Sequence, residues 1–107
     1  MAHITTSPAQ GRVTVRANGA VIADTTRAVE LREGSYPPVL YIPREDATVP
    51  LERTATRSTC PHKGEASYYT LGGVKDAAWS YETPHGDAQP IKGHLAFYPN
   101  RVSIERA

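Results

Sequence analysis

The sequence predicts an all-β fold with little helix, built as a small antiparallel barrel or sandwich. Three observations carry this. Short apolar runs alternate with polar residues at a period of two, Asn-Gly and Gly-Gly pairs separate some of them, and Pro37, Pro38 and Pro43 bar a helix through the middle of the chain.

Taken in order, Val13, Val15 and Ala17 alternate with Thr14 and Arg16, Asn18-Gly19 follows, and "AVIAD" begins a second run. A type I′ turn needs positive φ at both central residues, which Asn-Gly supplies, so the spacing predicts a hairpin over about residues 12 to 24. "AVEL" at 28–31 reads as a short third strand and "VLYI" at 39–42 as a fourth, stopped by Pro43, which removes a ladder donor. Val39 and Tyr41 share one face of that strand, Leu40 and Ile42 the other. "PRED" starts one helical turn, with acidic Glu45 and Asp46 near its positive end. "SYYTL", Gly72-Gly73 and "VKDAAWSYE" form a second hairpin, with Ala77, Trp79 and Tyr81 on one face of the return strand. "TPHGDAQP" reads as a loop. "IKGHLAFY" and "RVSIE" close the chain as a pair of strands joined at Pro99-Asn100, Leu95 and Phe97 facing one way, His94, Ala96 and Tyr98 the other. The count is seven to nine strands.

A chain of 107 residues fits one domain, placed at 12–107 behind a flexible N-terminal segment, 1–11. Hydrophobic residues make up 39 % and charged residues 21 %, near globular averages. The formal net charge of +1 comes from 12 basic and 11 acidic residues spread along the chain, which leaves no basic footprint for nucleic acid. No run approaches the roughly 18 apolar residues of a membrane span, and "MAHITTSPAQGR" lacks the apolar middle of a signal peptide. A cytoplasmic protein is the default expectation. One cysteine builds neither an internal disulfide nor a CxxC zinc knuckle, so no cofactor or metal is expected and packing must hold the fold. An unpaired edge strand leaves a homodimer open.

Cys60 is followed by Pro61, His62, Lys63 and Gly64. A neighbouring cation favours the thiolate, so Lys63 and His62 point to a reactive thiol, while the plainer reading is a small buried hydrophobe. A cysteine hydrolase also needs a base and an orienting acid; His62, His85 and His94 are the candidate bases, and Glu33, Glu65 and Asp87 the acids. Cys60, His62, His85 and His94 are zinc-type ligands without the paired spacing of structural sites.

The aromatics give a second signal. Six tyrosines stand against one phenylalanine, and every buried tyrosine must satisfy its hydroxyl. Tyr36, Tyr41 and Tyr68, with Tyr69, Tyr81 and Tyr98, are therefore expected to wall a small-molecule pocket together with Trp79, apolar in body and polar at its rim. Arg32, Glu33 and Lys63 are the charged groups placed to orient a ligand, Arg32 by its forked geometry suiting a carboxylate or phosphate. If the site reacts, Cys60 is nucleophile or redox thiol, Lys63 stabilises its thiolate and Glu33 or a histidine moves protons. The alternative is a binding or protein-interaction module in which Cys60 only packs.

"REGSYPPVLYIPRED", "STCPHKGEASYYT", "AAWSYETP" and "IKGHLAFY" occur in that order, and with them the chain from about residue 12 onward resembles the small bacterial proteins grouped as domain of unknown function (DUF) 427, also catalogued as nucleotidyltransferase-like. Thr59, Cys60, Pro61, Lys63 and Gly64 match the family's Thr-Cys-Pro-x-Lys-Gly stretch, with His62 in the variable slot. The resemblance implies a β-tent, two small antiparallel sheets pinned along one side. Zinc-bearing relatives of that architecture carry two CxxC pairs, where this chain has Cys60 alone. No Asp-x-Asp pair for handling phosphates stands in the sequence.

Overall fold

The computed structural model describes residues 3–107. Among them ten strands form three antiparallel sheets, with two short 3-10 turns as the helical content. Strands β1 (Ile4–Pro8), β4 (Val29–Glu33) and β5 (Val39–Tyr41) make the first sheet, in the order β1-β4-β5. Strands β2 (Val13–Ala17), β3 (Ala20–Thr25) and β10 (Ser103–Arg106) make the second, ordered β10-β2-β3. Strands β6 (Glu52–Cys60), β7 (Gly64–Leu71), β8 (Val74–Tyr81) and β9 (Ala96–Phe97) make the third in sequence order.

Both expected hairpins are present. Asn18 and Gly19 sit at φ 52° and 82°, the two positive values a type I′ turn requires, and Gly72 and Gly73 turn β7 into β8 at φ 57° and 78°. The "PRED" turn is a 3-10 helix over Arg44–Asp46, entered from Pro43. It is tied to β3 where the Thr25 hydroxyl donates to Asp46 Oδ2 at 2.6 Å.

Several expectations are corrected. The sheets number three rather than the two of a tent, and no barrel closes. After the two-residue β9 the chain leaves its sheet and delivers β10 to β2, so "RVSIE" pairs with "VTVRA" and not with "IKGHLAFY". The sheets instead meet at isolated bridges, Ile42 with Leu95 and Ala23 with Ala47. "IKGHLAFY" is strand only at Ala96–Phe97, because Ile91 ends a 3-10 turn over Gly86–Ile91 and Gly93 follows at φ 70°. Within the segment set apart at 1–11, Ile4–Pro8 is strand β1, paired along β4; residues 1 and 2 lie outside the described residues. Ile4 alone supplies its buried contact, too little apolar pattern to announce a strand. Strand β6 was not expected either, since "ERTATRSTC" has neither face buried.

Two apolar clusters hold the sheets together. The first gathers Val13, Val15 and Ile22 with Leu71, Leu95 and Phe97, and each fully buried aliphatic contributes about 1.5–3 kcal/mol. The second gathers Ile4, Leu31, Tyr41, Ala66, Tyr81 and Ile91. Strand β8 serves both. Asp76 at φ 50° and a register shift opposite Tyr69/Leu71 break its alternation, so Ala77 packs in the first cluster and parts from Trp79 and Tyr81, which belong to the second. That division opens a cleft over the second cluster.

Candidate functional site

The hairpin between β6 and β7 turns through Cys60-Pro61-His62-Lys63, with the Lys63 amide donating to the Cys60 carbonyl at 3.2 Å. Proline in the first central position suits such a turn. The His85 amide donates to the Lys63 carbonyl at 3.1 Å, which pins the backbone from the other side. Gly64 follows at φ 111°, and a Cβ there would meet the Thr83 carbonyl oxygen at 3.3 Å and the His85 ring at 3.4 Å. A glycine is needed. Held in this way, Lys63 is 8 % exposed, and its ammonium donates to Glu33 Oε1 at 2.5 Å.

Glu33 ends β4, and the pair lies in the wall of a cleft of ≈ 260 Å³. Aromatic rings form most of the rest of that wall. Tyr41 and Trp79 meet edge to face at 6.4 Å, Trp79 and Tyr98 lie 4.5 Å apart at 46°, and Tyr98 and Tyr68 are near-parallel at 6.3 Å. Tyr81 completes it, with the Lys63 ammonium 5.8 Å from its ring centre. Tyr36, 71 % exposed, stands at the rim. Trp79 Nε1 donates to the Tyr41 hydroxyl at 3.4 Å, and the Tyr98 hydroxyl donates to that of Tyr68 at 3.2 Å. The Tyr68 hydroxyl in turn shares a 2.8 Å hydrogen bond with Ser58.

These surroundings set the charges. Burial, the largest single influence, pulls the Lys63 ammonium down, but its hydrogen bond to Glu33 together with the influence of Tyr81 and Cys60 outweighs burial and holds its pKa above the ordinary lysine value. Burial pushes the Tyr41 hydroxyl up to about 12, and it raises Tyr81 and Tyr98 as well. The cleft therefore contains one ion pair among hydroxyls that stay neutral.

A wider groove of ≈ 860 Å³ adjoins the cleft and shares Glu33 and Trp79 with it. Half-buried Cys60, with Pro61 and His62, forms one side, and Phe97, Pro99 and Ile104 form the other.

The structure thus brings together Glu33, Lys63, Tyr36, Tyr41, Tyr68, Trp79, Tyr81 and Tyr98, with Cys60 next door. Arg32 and Tyr69 lie elsewhere. On a strand neighbouring side chains face opposite ways, so Glu33 in the cleft puts Arg32 outside, where it donates to Glu30 Oε1 at 3.0 Å. In the same way Tyr68 faces the cleft while Tyr69 packs in the first cluster, under the Arg44 guanidinium at 4.9 Å and donating to Glu82 Oε2 at 2.7 Å. Of the histidines, His62 is exposed on the groove, His85 lies against Gly64, and His94 bonds the Lys92 carbonyl at 3.1 Å. Sequence reasoning missed Leu31 and Val39, which pair across β4 and β5 and line the cleft. Their signal was the period of two: Leu31 shares a face with Glu33, and Val39 with Tyr41.

Among the described residues no group of three or more His, Cys, Asp or Glu side chains is placed to share a cation. No helix among the described residues is long and apolar enough to cross a membrane. Among curated proteins none matches the chain. A family model matches residues 5–107, and the chain belongs to the family described as Domain of unknown function (DUF427).

Proposed function

We propose that this domain binds a small organic molecule in the tyrosine-walled cleft, oriented by Lys63 and Glu33. One observation carries the reading: a nearly buried ion pair lies in a concave wall otherwise made mostly of aromatic rings, an apolar body with a few convergent polar groups. A domain that needed only stability would do as well with apolar residues there, because a buried ion pair gains little over good packing.

Trp79 is the sole tryptophan and lies in the wall, so its emission reports occupancy. A screen of ring-containing metabolites is expected to yield compounds that shift or quench this emission and raise the melting temperature together. A library that changes neither would end the proposal.

A thiol reaction at Cys60 is the second reading, favoured by the position of Cys60 on the adjoining groove within reach of the Lys63 charge. Its test is the rate of alkylation against pH. A midpoint well below the free-thiol value of about 8.5 supports it, whereas an ordinary midpoint leaves Cys60 as wall.

A further inference from the structure

The polar groups of the cleft define the kind of ligand it takes, an inference that rests on the cleft being a ligand site. Lys63 and Glu33 are the charged side chains of its lining, and they meet each other at 2.5 Å. Their charges cancel. A carboxylate or ammonium entering beside them would have no counter-ion unless it split the pair, and either course leaves an unmatched charge in apolar surroundings.

Hydrogen-bonding capacity remains even so. An ammonium has three N–H donors, and Lys63 gives one to Glu33 Oε1. Glu33 Oε2 has no hydrogen-bond partner among the described residues, and since no side-chain oxygen or nitrogen is both sealed off and unpaired, this oxygen keeps contact with open space. The pair presents an N–H donor and an oxygen acceptor side by side. Trp79, Tyr98 and Tyr68 share the lining with the pair, and aromatic rings favour stacking with a planar group. The ≈ 260 Å³ available lies just below the usual range of about 300–1,000 Å³ for ligand pockets, which suits one or two rings.

We infer that the cleft selects a neutral, planar molecule carrying a hydrogen-bond donor beside an acceptor, the edge of a primary amide or lactam, in preference to charged ligands. The acceptor oxygen accepts a hydrogen bond from the Lys63 ammonium while the N–H donates to Glu33 Oε2. The ion pair stays intact, and Glu33 Oε2 gains a partner.

Four probes built on one benzene ring separate the possibilities: benzamide, N,N-dimethylbenzamide, benzoate and benzylammonium, each titrated into the full chain and followed by the amide resonances around Lys63 and Trp79. Benzamide is expected to bind more tightly than the other three by about ten-fold or more. Equal or tighter binding of benzoate or benzylammonium overturns the inference and leaves the cleft a ligand site. Equal binding of the dimethyl compound overturns the role of the donor. If none of the four binds while the wider screen finds ligands of another class, the inference alone fails; if that screen is also empty, the proposed function fails with it.

Charge changes give an independent check. Lys63→Gln leaves one negative charge unmatched and is expected to move the preference to benzylammonium, and Glu33→Gln to move it to benzoate. A ranking that both variants leave unchanged overturns the inference. Should either fail to fold, the double variant Glu33→Gln with Lys63→Gln keeps the site neutral and must still rank benzamide first.

Discussion

Lys63 and Glu33 are held in place by opposing terms. Each would be costly alone, with side chains only 10 % and 13 % exposed, and each is tolerable because the other is there. Lys63→Met, which strands the Glu33 carboxylate, is expected to cost about 3 kcal/mol in chemical denaturation, and adding Glu33→Leu to recover most of it. A single variant as stable as the parent would show that the pair is not the buried unit described. The tyrosines make a second prediction. Tyr41, Tyr81 and Tyr98 keep their protons beyond the ordinary value of 10.0, so the ultraviolet tyrosinate titration is expected to show a late phase from these three. In the unfolded chain they ionise near 10. Between there and about 12 the buried Tyr41 alone therefore lowers stability by about 1.4 kcal/mol per pH unit as pH rises. Lys63 acts in the same direction: its pKa is raised, so its contribution is whole below 10.5 and fades as pH climbs through the raised value. At this scale much of the site was legible, because residue chemistry is local. Polar-tipped aromatics and a cation after Cys-Pro-His stand out in the sequence. Which of two adjacent residues faces inward did not: Arg32 against Glu33, and Tyr68 against Tyr69, depend on the register of a strand whose partners lie far along the chain.

Elements show the same division between local and distant causes. Asn18-Gly19 and Gly72-Gly73 set the turns of their hairpins locally, and both were legible. Gly72 has a second duty, because a Cβ there would come within 2.8 Å of Ile22 Cγ2 and 3.4 Å of Ala17 Cβ in the neighbouring sheet. Gly72→Ala therefore meets a positive φ and an intruded core at once. We expect a loss of about 2–3 kcal/mol, read as an earlier denaturant midpoint, against about 1 kcal/mol for Gly73→Ala, which has open space. Equal losses would show that only the turn matters. Strand β6 escaped the sequence, and the strand expected over "IKGHLAFY" shrank to β9, for opposite physical reasons. β6 is too polar to show an apolar face, and the apolar run around β9 is spent largely on a 3-10 turn and a bridge to Ile42.

For the whole molecule, the all-β class follows from local patterns, but the number of sheets follows from where each strand finds its partner. The pairing of β1 with β4 and of β10 with β2 joins the outermost strands to the interior of the chain, contacts that no window of sequence reveals. One strand bears on how these molecules behave in company. β6 pairs only with β7, and between Arg53 and Arg57 its ladder is interrupted. There the Thr54 and Thr56 hydroxyls are clamped by Asp76 at 2.6 and 2.7 Å, while the Arg57 guanidinium folds back on its own strand and donates to the Thr54 and Thr56 carbonyls, each at 2.7 Å. Those carbonyls are the acceptors that a foreign strand would seek. Arg57→Ala is expected to leave the melting temperature nearly unchanged yet to raise light scattering in concentrated solutions, and a variant that stays clear would refute it. Arg57 then acts as a chaperone in miniature, a side chain that keeps neighbouring copies apart by occupying its own backbone.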